Sequence, residues 1–432
     1  MSARPDPSVR RLLVLAERLP RPDESSGSCR FLAILSHLAR RGPVDLWVER
    51  DETTGRTALP AARVARDRER LTGLGIQVLP LPFHALRAAI HSHAYDRVLF
   101  EMHDVAARYL PTVRTLLPGA ALIVDSVDVH FARLAAAEAV GAVNARDVRR
   151  MRRAETGVYR RADAVVVVSR EDAGALDGEP GMPAIVQVPN CVTLRPRVTV
   201  SRSPTALFVG HFNHAPNLDG LRWYVRNVWP LVVARRPDAS TTVVGSHASA
   251  EVHALGRASG IDVRGYVPDL QPIVDQSAVA IAPLRYGAGM KGKVTDALAA
   301  GMPLVTTSVG AQGLDLVNGR HAFVTDDPVA FADALVTLFD DPSRAGAIGL
   351  AGQRYVDDVC GPEATARALA VLTAVTRRES PPSPSSMTIG GRLLVASRGV
   401  RHAVMSVARR HARWLAVPET SLTGTRTAQR RS

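Results

Sequence analysis

Of the 54 basic side chains in this 432-residue sequence only two are lysines, Lys291 and Lys293, and they stand two positions apart. A lysine ammonium is a compact point charge with rotatable donors, whereas arginine is a planar fork. The pair therefore marks a site that wants a point charge, as phosphate cradles often do. The segment around it, APLRYGAGMKGKVTDALAAG over 282–301, reads as a strand, a glycine loop and a helix. Gly287, Gly289 and Gly292 let the backbone approach a ligand, and the helix start offers free amides and a partial positive charge. Gly287, Gly289, Met290, Lys291 and Lys293 thus form a candidate anion site. Asp296, one turn into the helix, is placed to accept hydrogen bonds from a ribose diol. A tight strand-to-helix turn with a favourable first-turn acid is the alternative. The glycine spacing, with Asp315 beyond it, also matches a dinucleotide fingerprint, but it lies far from the opening strand where that fingerprint belongs.

Three other groups can carry chemistry. Ser25-Ser26-Gly27-Ser28 lies between a strand and a helix, so its amides can receive a phosphate or an acceptor, or simply cap the helix. Asp125-Ser126-Val127-Asp128-Val129-His130 reads as the end of a strand, with Glu101 and His103 ending another. The acid pairs Asp326-Asp327, Asp340-Asp341 and Asp357-Asp358 read as solvated caps, so no metal site is expected. Cys29, Cys191 and Cys360 are too scattered for a disulfide framework or a zinc site, which fits a reducing cytosol. The N-terminus has no signal-peptide pattern and no apolar run reaches membrane-spanning length.

Positioning these residues requires strands that end where helices begin. Apolar runs at 12–15, 44–48, 97–100, 121–124, 164–168 and 184–188 alternate with helical stretches such as 30–41, 61–74 and 140–161. After a Pro-containing linker at 193–204 the alternation restarts, with strands at 206–209, 241–244, 261–263, 278–282 and 303–306. The helical stretches here are 218–234, 249–259, 293–300 and 329–339, with a closing helix at 362–376. The pattern predicts two Rossmann-like, doubly wound parallel-sheet α/β domains, 1–200 and 201–378, facing a cleft that suits a nucleotide.

The net charge of +13 is concentrated at the end of the chain. Residues 377–432 hold eleven arginines against Glu379 and Glu419, so the body is only mildly basic and, lacking interleaved aromatics, does not read as a nucleic-acid binder. Residues 379–390 are Pro/Ser-rich. On a helical wheel Leu393, Val400, Val404, Val407, Trp414 and Leu415 share a face opposed by arginines. A basic amphipathic segment over 390–415 suits the surface of an anionic membrane, docking onto the protein itself or a solvated tail being the alternatives.

GAGMKGKVTDALAAGMPLVTTSVGAQGL resembles the donor-binding signature of family-4-type retaining glycosyltransferases of the GT-B fold. The resemblance extends over about 12–376 and includes DESSGSCRFLAILSHLARRG, DSVDVHFARL and LFVGHFNHAPNLDGLRWYVRNVWP. It implies a nucleotide-diphosphate sugar as donor substrate and no further cofactor, the loop binding the diphosphate and Asp296 the ribose. The backbone at Val267 would meet the base, Gly27 and Gly210 would line the donor site, and His130 or Asp128 would reach the reacting sugar. Retention is likewise implied by the family. Two departures stand out: Ala288 occupies the place of the first acid of the family's paired-acid motif, and His211-Phe212-Asn213 follows Gly210 where relatives carry Arg and Lys. The expected acceptor is a glycan, a lipid-linked glycan or a small molecule, reached from the cytoplasm or from the inner membrane face. A non-catalytic nucleotide-sugar-binding partner and a nucleotide-sugar epimerase remain the alternative functions.

Overall fold

The computed structural model describes residues 10–55, 58–139, 141–195, 201 and 203–378. The first half runs β1 (Arg11–Ala16), α1 (Ser26–Ala39), β2 (Val44–Val48), α2 (Ala61–Gly73), β3 (Ile76–Val78), α3 (Phe83–Ser92), β4 (Tyr95–Glu101) and α4 (His103–Leu116). It continues with β5 (Ala121–Asp125), α5 (His130–Ala139), α6 (Ala145–Tyr159), β6 (Ala164–Val167), α7 (Arg170–Asp177) and β7 (Ala184–Gln187). The second half runs β8 (Thr205–Val209), α8 (Ala215–Trp223), a π-turn (Tyr224–Val228), α9 (Trp229–Arg235), β9 (Ser240–Val244), α10 (Ala250–Ser259), β10 (Asp262–Gly265) and α11 (Gln271–Gln276). Then follow β11 (Val279–Ala282), α12 (Gly292–Ala299), β12 (Leu304–Thr306), β13 (Phe323–Val324), α13 (Pro328–Asp340), α14 (Pro342–Cys360) and α15 (Pro362–Thr373).

The strands make two parallel sheets, ordered β3-β2-β1-β4-β5-β6-β7 and β10-β9-β8-β11-β12-β13. The strand order of each sheet therefore reverses once, at β1/β4 and at β8/β11. Side chains alternate between faces, as a pleated strand requires. Leu13, Leu15, Phe100 and Val124 enter one core with α4, while Val14, Leu99 and Ile123 enter another with α1. In the second sheet Phe208 and Ile281 pack with α8, and Leu207 and Ala280 pack with α12. Helices leaving the two central strands thus take opposite faces, which opens a crevice at each reversal.

The two-domain α/β expectation agrees with this architecture, but several details differ. The helix expected over 140–161 starts at Ala145, because Gly141 takes φ +74° and Asn144 Oδ1 caps the Asp147 amide at 3.1 Å. His130 opens α5 instead of extending the preceding strand. The helix expected from Arg30 begins four residues earlier, with Ser25 as its cap. The closing helix α15 does not stay with the second domain: Leu369 and Leu372 pack into the first domain's core beside α1. The Arg378 amide then donates to Asp163 Oδ1 at 2.9 Å. A long helix, α14, and the short strands β3 and β13 escaped the sequence pattern because their apolar positions are few or interrupted. The amphipathic segment at 390–415 lies outside the described residues. Among the described residues, no helix is long and apolar enough to cross a membrane.

Candidate functional site

The glycine loop joins β11 to α12 at the reversal of the second sheet. Gly289 takes φ +66°, a left-handed conformation that costs glycine little and any side chain more. A Cβ there would stand 3.3 Å from Asp128 Cβ of the first domain, so the loop closes directly onto the opposite wall. At Gly292 a Cβ would fall 2.1 Å from Ser26 Cβ. Only a glycine at the start of α12 lets the first turn of α1 approach so closely. The N-termini of the two helices therefore meet across the cleft. Lys291 at the α12 cap makes no side-chain cap, and Ser25 Oγ takes the Ser28 amide at 3.2 Å. Two helix ends with unspent amides face one place, which favours an anion.

The lysines divide the work. Lys291 Nζ donates to Ala288 O at 3.0 Å, Gly289 O at 2.5 Å and Gln312 Oε1 at 3.1 Å, tying the loop together. Lys293 Nζ bonds Asn217 Oδ1 and lies 4.8 Å from the centre of the Phe208 ring. Asn217 is on α8, and a Cβ on Gly210 would touch it at 3.3 Å, so Lys293 spans the β8/β11 crevice and meets the Gly210 turn. Burial pushes the Lys291 ammonium down to about 8, and burial with the neighbouring Lys291 charge pushes Lys293 down to about 7. Asp296 is exposed, yet the protein mass around it pushes its carboxyl up to about 6, with Arg195 opposing. An acid both accessible and hemmed in belongs to the wall of a cleft.

The histidines that follow Gly210 do not replace the missing cations. His211 is lowered by burial and by His247, whose ring meets it edge-on at 4.8 Å. Burial, then Arg133 and Lys293, push His214 down to about 4. Charge near the loop therefore falls to the lysines.

On the opposite wall His130 Nε2 lies 2.9 Å from Asp128 Oδ1, and Arg133 bonds Asp128 at 2.7 Å. Burial lowers the His130 imidazole, but Asp128 outweighs it and leaves the group raised. Burial raises Asp128, and His130 with Arg133 outweigh it and leave that carboxyl lowered. His103 meets the His130 ring edge-on at 4.7 Å. Possible ligand atoms of His103, His130 and Glu155 lie within 4.8 Å of one another, and this buried trio is what could hold a metal among the described residues. Met102, Val127 and His247 all have φ between 60° and 69°, and each follows a strand end on the cleft side. Strained backbone of this kind gathers where a site over-determines it.

The expected residues are only partly brought together. Lys293, Gly210, Asp296, Gly289 and Asp128 line one cleft, with His130 bonded to Asp128. Gly27 sits inside the first turn of α1 with ordinary helical backbone, and the loop that holds it acts first as a cap. Met290 is turned inward, its sulfur 3.6 Å from Cys360 Sγ and its carbonyl accepting from Asn190 Nδ2 at 3.3 Å. Val267 packs its side chain into the core, while Tyr266 beside it is half exposed. Asp327 and Asp341 cap the amides of Ala330 and Arg344, as read from their positions. Sequence reading missed Asn217, Asn190 and Glu155. Asn190 comes just after the end of β7, which is the signal that could have found it. Asn217 and Glu155 stand inside helices and carry no such signal.

Residues 203–341 match the family described as Glycosyl transferases group 1. A curated relative, an uncharacterized 44.6 kDa protein in the cps region of Klebsiella pneumoniae, is 32% identical over 138 residues. The match covers 30% of this chain and 36% of that protein, so the chain spans about a third of the relative's length. Among solved structures, sucrose-phosphate synthase from Thermosynechococcus elongatus superposes with a TM-score of 0.65 at 16% identity, covering 84% of this chain and 98% of that one. Anabaena HepE in complex with UDP-glucose gives a TM-score of 0.63 at 13% identity, covering 84% and 99%. At these identities the likeness speaks for the fold. The segment similar to glycosyl transferases group 1 thus lies within a two-sheet fold of the GT-B kind, with the glycine loop, Lys293 and Asp296 inside the matched segment.

Proposed function

We propose that this chain is a glycosyltransferase that takes a sugar from a nucleoside-diphosphate sugar and delivers it to a hydroxyl acceptor. The observation that carries this reading is the meeting of the α1 and α12 N-termini beside Lys293, with an accessible acid one turn further on. Breaking the glycosidic bond places negative charge on the departing diphosphate. Preorganised amides and an ammonium stabilise that charge where it develops, without reorganisation at the moment of reaction. Lys293 is the group free to turn to the diphosphate, giving up Asn217, while Lys291 keeps the loop in shape. Asp296 accepts from the ribose hydroxyls, and Tyr266 and Val267 flank the base. His130 donates to the sugar from the opposite wall.

On this reading the acceptor hydroxyl attacks the anomeric carbon on the leaving-group face. Its proton passes to the departing phosphate oxygen as the new glycosidic bond forms, so configuration is retained. No metal is needed, since the charge it would neutralise is met by Lys293 and the helix ends. A growing glycan is the acceptor class this reading favours, in keeping with the cps-region relative. The tail at 390–415, if it binds anionic membrane, would bring the cleft to a lipid-linked acceptor. A second reading, a nucleotide-sugar-binding partner without turnover, rests on Ala288 in place of the expected acid.

The test is a thermal-shift screen with UDP and UDP-sugars, chosen because HepE was solved with such ligands, followed by turnover with and without EDTA. A ligand at a hundred times its Kd adds about 2.7 kcal/mol of stability. Stabilisation with chelator-insensitive transfer is the expected result. Stabilisation without transfer to any glycan acceptor favours the second reading, and loss of transfer to EDTA with rescue by Mg²⁺ overturns the metal-free leaving-group site.

A further inference from the structure

Helix α6 buries Glu155, Thr156, Val158 and Tyr159 on one side and turns a row of arginines the other way. With 3.6 residues per turn, Arg146, Arg149, Arg150 and Arg153 fall within about 100° of arc opposite the buried side, and Arg160 at the helix end continues the line. All five are exposed. From Arg146 to Arg160 the row is about 21 Å long. Arg146, Arg149 and Arg153 have no acidic partner among the described residues. Asp147 holds Arg150 at 3.3 Å along one edge of the row, and Glu179 holds Arg152 and Arg160 along the other. Like charges three and four positions apart repel, so the row works against the helix that carries it. Helix α2 also has four arginines, but Asp67 and Glu69 stand among them. A face that only meets water has no need of a single sign.

We propose that the outer face of α6 is a track for an acidic glycan, which it leads past the cleft as the extended part of the acceptor. Charge selects a polyanion, and the shape and lining of the row select its kind. The row is one helix wide with an acid on each edge, which suits a single chain better than the plane of a bilayer. Among the described residues, none of the exposed large apolar side chains lies on α5 or α6, so no wedge is offered to a membrane. The aromatic rings of Phe131 and Tyr159 on these helices are buried, so no platform is offered to nucleic-acid bases. Guanidinium forks match carboxylates two bonds at a time. The track also passes the right place. Helix α6 returns alongside α5, and Glu155, late in α6, accepts the His130 and Phe131 amides that open α5 at the cleft wall. Arg153 thus stands within about 3 Å of rise of that level, and Arg149 and Arg146 continue the row beyond it. The glycan's role as acceptor rests on the transferase reading; its binding to α6 does not.

The experiment uses the full chain with Arg146, Arg149 and Arg153 changed together to glutamine. Its control changes Arg409, Arg410 and Arg413 likewise, so that net charge falls equally in both. Binding to polygalacturonate, neutral dextran, single-stranded DNA and phosphatidylglycerol vesicles is measured at low salt. The unaltered chain is expected to bind polygalacturonate and not dextran, the α6 variant about tenfold more weakly, and the control within about twofold of the unaltered chain. Lysine at the same three α6 positions keeps the charge and should keep the binding. Relief of like-charge repulsion should leave the melting midpoint of the glutamine variant unchanged or raised. Should that variant fold poorly, Arg149→Gln alone is expected to weaken binding about threefold. Equal loss in the α6 variant and the control, or no loss in the α6 variant, overturns the proposal. So does α6-dependent binding that is stronger on DNA or on vesicles than on polygalacturonate. In turnover the α6 variant should raise KM for an acidic glycan acceptor and leave donor KM in place, and an unchanged acceptor KM overturns the track's part in delivery. Polygalacturonate bound through α6 by a chain that transfers sugar to no acceptor would sink the transferase reading and leave the track standing.

Discussion

The two sheets reverse at equivalent strands, β1/β4 and β8/β11, yet the crevices that open there carry opposite chemistry. At the first, Glu17 follows the end of β1 and Glu101 closes β4 beside Asp125. Burial, then Asp125 and Glu17, push the Glu101 carboxyl up to about 8. At the second, burial pushes two ammonium groups down to about 8 and 7. Both crevices hold charge the surroundings disfavour, of opposite sign, so each is poised for a different guest. The basic crevice gains by taking an anion. The first holds a carboxyl kept protonated near neutral pH, a hydrogen-bond donor suited to hydroxyl groups. Chain topology places the two crevices, and the residues just past the strand ends decide what each can bind.

The sharpest way to break this contrast is to remove the cation. Lys293→Ala should weaken nucleoside-diphosphate binding tenfold to a hundredfold, about 1.5–3 kcal/mol, by calorimetry. Unchanged affinity in the Lys291/Lys293 double alanine protein would remove the lysines from the donor site. A second effect follows from the lowered ammonium groups. An anion favours the charged form, so binding must take up a proton once the pH exceeds the free Lys293 value of about 7. Affinity should then decline by up to about tenfold per pH unit above that point. Calorimetry in two buffers of different ionisation heat reads the proton uptake directly, and none at pH 8 would show that Lys293 does not titrate on binding. The smallest effect on the donor side is expected from Glu101→Gln. Nucleoside-diphosphate affinity should stay within about twofold, while acceptor KM rises by about fivefold for one lost hydrogen bond of ~1 kcal/mol. A matching loss of donor affinity would mean that the crevices are not chemically separate.

Much of this arrangement is local and could be read from the chain. Lys291, Lys293 and the three glycines point to an anion loop because backbone freedom, helix start and point charge all sit within eleven residues. The alternation of β-branched runs and amphipathic stretches likewise implies two doubly wound units, since each run can bury both faces only between helices. The sequence pattern puts His130 at the end of a strand, whereas a left-handed Val127 and a distant cap turn the chain into a helix there.

By itself, the sequence determined the fold class, the two-unit plan and the place of the glycine loop, because each rests on interactions between residues near one another in the chain. Tertiary structure alone decided which lysine can reach the cleft, since Lys291 is held by Gln312 and Lys293 by Asn217, partners 21 and 76 positions away. It decided that Gly292 must lack a side chain because Ser26, from the other domain, occupies that space. It also decided that α15 belongs to the first domain's core and that Glu155 stands under His130. Each of these depends on contacts between segments far apart in the chain, and neither residue spacing nor propensity encodes such a contact where it is made.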